Sequence, residues 1–148
     1  MKIPVKYLKM SAVGLGALAL AEGFRGTTYF DTVGVKTIGY GHTKGVKTGD
    51  TITPEKALSL LIKEVDDAHG IGMKKCMGNI ALTQNQYDAF LSFTYNVGVA
   101  GFCSSVTRQL LNEGKVIEAC KAMAGWMRPP EIRSRREGEI ALCLRDYT

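Results

Sequence analysis

Hydrophobic and polar positions recur along this chain with more than one period, and the changes of period mark its parts. Ala12 to Ala21 is an almost unbroken run of Ala, Val, Gly and Leu. Ser11 stands before it as an N-cap and Gly23 after it as a stop, so residues 11–23 read as a helix. Its composition predicts a buried first helix that carries Glu22 at its end. From Thr27 to Tyr40 the residues become Thr, Val and aromatic, divided by glycines. That reads as a β-hairpin turning near Val33 and Gly34, extended by a third strand around Val46 and Lys47. The period lengthens again after Thr53-Pro54-Glu55, which supplies an N-cap, a first-turn proline and an early acid. Ala57, Leu58, Leu61, Ile62, Val65 and Ala68 follow at helical spacing, and Gly70 is expected to end that helix. Gly70 to Asn79, with three glycines and two lysines, reads as a loop.

Thr83-x-x-Gln86 is a capping box, and the long helix behind it turns Tyr87, Phe90, Leu91 and Thr94 inward. A short helix is expected after Ser104-Ser105 and another from Lys115 to Ala124. Pro129-Pro130 interrupts the chain, and Ser134-x-x-Glu137 is expected to cap a last helix carrying Ile140, Ala141 and Cys143. Strands and helices are segregated, which makes the fold class α+β. The expected organisation is one domain over residues 1–148. A small β-containing lobe occupies about 12–52 and a helical lobe about 53–148.

Composition narrows the partners. A net charge of +5 favours a polyanion such as nucleic acid, an acidic membrane face or the anionic bacterial wall. No nucleic-acid motif accompanies that charge. With only His42 and His69 and no clustered carboxylates, no metal or other cofactor is expected. His42 is expected to pair with an acid on the following helix, such as Asp66 or Asp67. Lys2, Lys6 and Lys9 before the apolar run give the N-terminus the outline of an export segment, here retained rather than cleaved. The run is too short to span a bilayer, so no stable membrane insertion is expected.

Four cysteines stand at 76, 103, 120 and 143. They fit two disulfides in an oxidising compartment or four reduced thiols. If oxidised, Cys76–Cys103 and Cys120–Cys143 are the expected pairs. Cys120 shares a helix face with Val116 and Met123, and Cys143 lies with Ile140 on the apolar side of the last helix. Cys76 enters the long helix that begins at Thr83, and Cys103 follows the turn that leaves it. Those two meet only if the chain doubles back.

The candidate chemistry lies in Glu22, at a helix end, and Asp31 and Thr37 on the two hairpin strands. Eight residues separate Glu22 from Asp31, and five separate Asp31 from Thr37. Glycosidic cleavage needs an acid for the leaving oxygen and a second carboxylate to direct water or attack the sugar. Alone, a carboxylate pair at this spacing is more often a solvated surface feature. The wider string changes that: Ala21-Glu22-Gly23-Phe24-Arg25, Tyr29-x-Asp31-x-x-Gly34-Val35-x-Thr37-Ile38-Gly39-Tyr40-Gly41-His42-Thr43. It resembles the signature of the phage-type lysozymes, the endolysin family that includes the T4 and P22 enzymes. The resemblance continues through Leu82-Thr83-Gln84-Asn85-Gln86-Tyr87-Asp88-Ala89-Phe90, Tyr95-Asn96-Val97-Gly98, Ala100-Gly101-Phe102 and Arg135-Arg136-Glu137. The chain departs from the family's common pattern in its Gly- and Ala-rich first helix and in Pro129-Pro130.

The resemblance implies a lysozyme-like fold with a long helix linking the lobes. It implies hydrolysis of the β-1,4 bond between N-acetylmuramic acid and N-acetylglucosamine in peptidoglycan. Glu22 would be the general acid, Asp31 the water-activating carboxylate and Thr37 the residue that holds the water, with inversion at the sugar. Family positions place Tyr95, Asn96 and Ser105 along the sugar groove. Each has a plainer role available: Tyr95 in the core, Asn96 in a turn, Ser105 as an N-cap. Arg135 and Arg136 are expected in helix-start packing and salt bridges. The implied partner is the glycan strand, met by a monomer released from the host cytoplasm or exported to the periplasm and wall. Other readings are a non-catalytic wall-binding module, a membrane-disrupting protein and a lytic transglycosylase.

Overall fold

The computed structural model describes residues 1–147. Its contacts divide the chain into two compact units: Leu15–Glu64, and the first 14 residues together with those from Val65 onward.

In the unit Leu15–Glu64, helix α1 (Ala12–Glu22) arrives from the other unit, and Ser11 Oγ accepts the Gly14 N–H at 3.1 Å as the expected cap. The helix is not buried as expected. Leu18 is fully enclosed, but Val13 is 71% and Leu20 86% exposed. An apolar helix lacking a polar face leaves apolar residues in water wherever only one stripe is covered. Strands β2 (Arg25–Phe30) and β3 (Lys36–Gly39) form the expected antiparallel hairpin, pairing Tyr29 with Thr37 and Phe30 with Lys36. The third segment is not at Val46 and Lys47. Thr51 bridges Thr27, and the Ile52 N–H donates to Gly26 O at 2.9 Å. α2 (Pro54–Lys63) starts as its sequence dictates, with the Thr53 hydroxyl accepting the Lys56 N–H at 3.2 Å. Its first turns press on β3 so closely that a Cβ on Gly39 would lie 3.0 Å from that of Ala57. Of the predicted inward positions, Ala57 and Leu61 are buried, whereas Leu58 and Ile62 are exposed.

The expected stop at Gly70 and the loop beyond it are both corrected. The chain continues as a π-helix over Glu64–Gly70 and then as α3 (Ile71–Met77). Gly70 and Gly72 are small because neighbours are close, not because the helix ends. A Cβ on Gly70 would lie 3.3 Å from the Tyr87 hydroxyl, and one on Gly72 would lie 2.8 Å from Val99. Of the three glycines in this segment only Gly78, at φ 75°, has the left-handed backbone of a helix stop.

The second unit is built around α4 (Gln84–Val97). Thr83 and Gln86 close the predicted capping box, and Tyr87, Ala89, Phe90, Leu91, Phe93 and Thr94 are all fully buried. The helix is buried on more than one side although it is not apolar all round: Gln86, Asp88 and Thr94 are enclosed with it, each hydrogen-bonded. It packs against α5 (Val99–Cys103) and α8 (Arg133–Leu144), while α3 and α6 (Val106–Asn112) lie against α5, and α7 (Val116–Ala122) against α6 and α8. The predicted Ser134 cap is absent: α8 starts at Arg133 straight from a 3-10 turn over Pro130–Ile132, with no side-chain cap. The N-terminal residues are strapped onto this unit. β1 (Ile3–Pro4) pairs antiparallel with β4 (Ala81–Leu82), and Val5 and Leu8 are buried. Polar anchors complete the strap. The Met10 N–H donates to Asp66 at 3.1 Å, the Lys74 ammonium to Leu8 O at 2.6 Å, and the Ser11 N–H and hydroxyl both donate to the buried Asp88 carboxylate.

Both expected disulfides form, Cys76–Cys103 between α3 and α5 and Cys120–Cys143 between α7 and α8. The chain does double back, because α3 lies beside α5. The bridges close sequence separations of 27 and 23 residues. A crosslink over such a loop restricts the unfolded chain by about 3 kcal/mol. The double variant Cys120→Ala/Cys143→Ala should lose about that much in chemical denaturation, and excess reductant should lower the wild-type midpoint further. A midpoint indifferent to reductant would contradict both bridges.

Candidate active site

Glu22 is the last residue of α1, half-buried, and the Gly23 N–H behind it still donates to Ala19 O at 2.9 Å. Asp31 follows β2 and builds the hairpin turn. Its main-chain N–H donates to Val35 O at 2.9 Å, and its carbonyl accepts the Gly34 N–H at 3.0 Å. Its carboxylate Oδ1 accepts the N–H groups of Val33 at 3.0 Å and Val35 at 2.8 Å. Gly34, at φ 84°, takes the left-handed position that this short loop needs. The second oxygen, Oδ2, has no hydrogen-bond donor among the described residues.

Thr37 on β3 is 3% exposed, and its hydroxyl donates to Val35 O at 2.9 Å. Asp31 and Thr37 are therefore both fixed to the main chain of one residue, Val35. The Arg25 guanidinium lies 4.3 Å from the centre of the Tyr29 ring, opposite Thr37 in the hairpin. His42 pairs through Nδ1 with Glu64 rather than with Asp66 or Asp67. Helical spacing brings Glu64 to that side, while Asp66 serves the N-terminal strap. Among the described residues, no three of His, Cys, Asp and Glu gather as metal ligands.

Glu22, Asp31 and Thr37 thus share the unit Leu15–Glu64, and Tyr95, Asn96 and Ser105 belong to the other. Ser105 is the N-cap of α6. Its hydroxyl accepts the Arg108 N–H at 3.1 Å and donates to Phe102 O at 2.6 Å. The Tyr95 ring meets that of His69, centroids 4.7 Å apart. Asn96 Oδ1 accepts from Nη2 of Arg136, which is 1% exposed. The other two nitrogens of that guanidinium also have partners: Nη1 donates to Glu139 and Nε to Trp126 O at 3.0 Å, while the carbon centre stands 4.7 Å from the Phe93 ring. Burial draws the Arg136 pKa below its ordinary value, and Glu139 opposes that shift. Glu139 also accepts from the Ser92 hydroxyl and, at 3.3 Å, from Arg135 Nε. Sequence reasoning foresaw salt bridges for these arginines but missed Glu139. Its signal was the spacing of three from Arg136, which places both on one helix face.

Comparison with known proteins matches residues 19–139 to the phage lysozyme family. The endolysin of Salmonella phage P22 is 34% identical over 149 aligned positions, covering 93% of this chain and 99% of its own length. The SAR-endolysin of Pseudomonas phage phiKMV is 33% identical, covering 97% of this chain and 93% of that protein. Among solved structures, the muramidase domain of SpmX from Asticaccaulis excentricus superposes with a TM-score of 0.82 at 34% identity, covering 92% and 97% of the two chains.

The Arg136–Glu139 pair supplies a direct test of what holds α8 to α4. Arg136→Met should destabilise by about 3–5 kcal/mol, because it leaves the buried Glu139 carboxylate with only the Arg135 contact and strips Asn96 and the Trp126 carbonyl of their donor. Replacing both residues, as Arg136→Met/Glu139→Leu, should restore most of that loss. Additive losses in urea denaturation would show that the two are not coupled.

Proposed function

Since the chain belongs to the phage lysozyme family, we propose that it hydrolyses the β-1,4 glycosidic bond between N-acetylmuramic acid and N-acetylglucosamine in bacterial peptidoglycan during host lysis. Glu22 gives its proton to the leaving oxygen. Asp31 takes a proton from the attacking water, and Thr37 holds that water.

The observation that supports these roles is the direction of the hydrogen bonds at Val35. The Thr37 hydroxyl proton is committed to Val35 O, so towards a water that hydroxyl can only accept. Asp31 Oδ1 is occupied by two N–H groups, which leaves Oδ2 as a second acceptor. A water held between two acceptors gives both its protons to the protein and keeps a lone pair for the anomeric carbon. Water that arrives opposite the departing oxygen inverts the sugar's configuration. Tyr95 and Asn96 would contact the glycan strand from the helical unit, and Ser105 would do so through the α6 cap it forms. A net charge of +5 favours approach to an anionic wall.

Export is read from the N-terminus. No described helix is long and apolar enough to cross a membrane. The SAR-endolysin name of the Pseudomonas phage relative, the lysines at 2, 6 and 9, and the apolar α1 with Val13 and Leu20 in water together support an export segment.

Digestion of purified peptidoglycan tests the chemistry. Glu22→Gln should keep its circular dichroism and lose at least about 10²–10⁴ in rate. Thr37→Val, which removes the water's acceptor, should lose about 10². Wild-type products should carry new reducing ends. Anhydro-muramic ends would replace hydrolysis by transglycosylation, and undiminished cutting by Glu22→Gln would remove it from the mechanism. For export, Val13→Lys/Leu20→Lys should leave the purified enzyme active yet stop lysis when the chain is expressed without a holin. Lysis by that variant at the wild-type rate would refute the export reading.

A further inference from the structure

Trp126 is the chain's single tryptophan. It follows the 3-10 turn Met123–Gly125, and its carbonyl accepts from Arg136 Nε at 3.0 Å. Its ring stands edge-on to Phe93, centroids 5.8 Å apart at 80°, and its benzo edge approaches Gly101 so closely that a Cβ there would lie 3.6 Å away. Main chain and one ring edge are thus held by α4, α5 and α8. Yet 37% of the residue remains in water, and no described group accepts from its indole N–H. A tryptophan used only to fill a core ends with its ring enclosed and its N–H paired. This one is held at its main chain and at its benzo ring while more than a third of it stays in water.

Its main chain lies beside the end of α4. The guanidinium that holds the Trp126 carbonyl also holds Asn96 Oδ1, so the two residues flank Arg136, and Tyr95 precedes Asn96 on α4. A pyranose of the gluco type carries its hydroxyl groups equatorially and so presents a face of axial C–H groups. That face is apolar, flat and similar in size to an indole. The rim of the same ring carries acetamido and hydroxyl oxygens that accept hydrogen bonds.

We propose that Trp126 is a sugar-stacking platform. It receives the C–H face of an N-acetylated pyranose of the glycan strand, and its indole N–H donates to an oxygen on that sugar's rim. This rests on the peptidoglycan reading above. The contact binds substrate equally in ground and transition states, so it acts on KM.

The single indole reports on its own site. The Glu22→Gln chain is titrated with soluble glycan strands from purified sacculi, once with stem peptides attached and once after an amidase has removed them. Trp126 emission should move to shorter wavelength and acrylamide quenching should fall, saturably, with both preparations. On intact peptidoglycan, Trp126→Ala should raise KM about tenfold with kcat within about twofold, and Trp126→Phe should recover most of the loss. Strands that bind by calorimetry without moving the emission would overturn the platform. So would a response to peptide-bearing strands alone, or a loss in kcat with KM unchanged. If Trp126→Ala does not fold, the emission titration decides by itself, since it needs no change at Trp126. Failure of the wild type to cut peptidoglycan is read before any Trp126 variant and overturns the hydrolase reading, and the platform with it.

Discussion

A guanidinium out of water must have its donors met where it stands, and in the helical unit that requirement falls on Arg136. An uncompensated buried charge costs several kcal/mol, so the surroundings are constrained as a set. Glu139 must face it from its own helix, Asn96 from α4 and the Trp126 carbonyl from the segment before α8. The end of α4 and the segment before α8 are thereby given one mutual geometry with α8. The apolar core around Phe93 and Phe102 drives the collapse, but greasy contacts alone tolerate sliding. Directional bonds to a buried cation do not. The end of α4, which holds Tyr95 and Asn96, inherits that rigidity.

In the other unit the same economy appears in a hairpin of few residues. One carboxylate oxygen of Asp31 holds the turn, and the other stays open. The residue read as the water's activator is therefore also the residue that shapes its own support. Thr37 shares the anchor through Val35, so the separation of the two groups follows from the turn rather than from distant packing. Sites carried on a short, self-bonded turn can be precise without a large core beneath them.

Local signals in the sequence were read well because their physics is local. Ser11, Thr53, Thr83 and Ser105 each accept the N–H bonds that their spacing announced. The Cys120–Cys143 pairing followed from helix faces, whereas Cys76 meets Cys103 from α3, in the segment read as a loop, and not from the entry to the Thr83 helix. The family string located Glu22, Asp31 and Thr37 at a helix end and along one hairpin, though it said nothing of how Val35 fastens two of them. What escaped depends on approach between distant segments. Gly70 and Gly72 look like helix breakers by type, but the space left by Tyr87 and Val99 makes them helix interior. The exposure of α1 escaped for the converse reason: composition says that a segment is apolar, not that enough partners exist to cover it. Glu64 as the partner of His42 depended on which acid the winding of one helix turned towards it. The third hairpin segment moved to Thr51 because strand pairing is decided by register, and Val46 and Lys47 resembled a strand only in composition.

Both disulfides and all four cysteines lie outside Leu15–Glu64. A crosslink works on the unfolded chain, and only on the segment that it closes. The stretch holding Glu22, Asp31 and Thr37 keeps its full freedom when it opens, so noncovalent contacts alone hold it shut. Local opening there costs less than melting the stapled helices, and proteolysis draws on whichever opening is cheapest. The unit that carries the candidate carboxylates is then the one that a protease reaches first, and the molecule's resistance to digestion is set by a hairpin rather than by its most stable core.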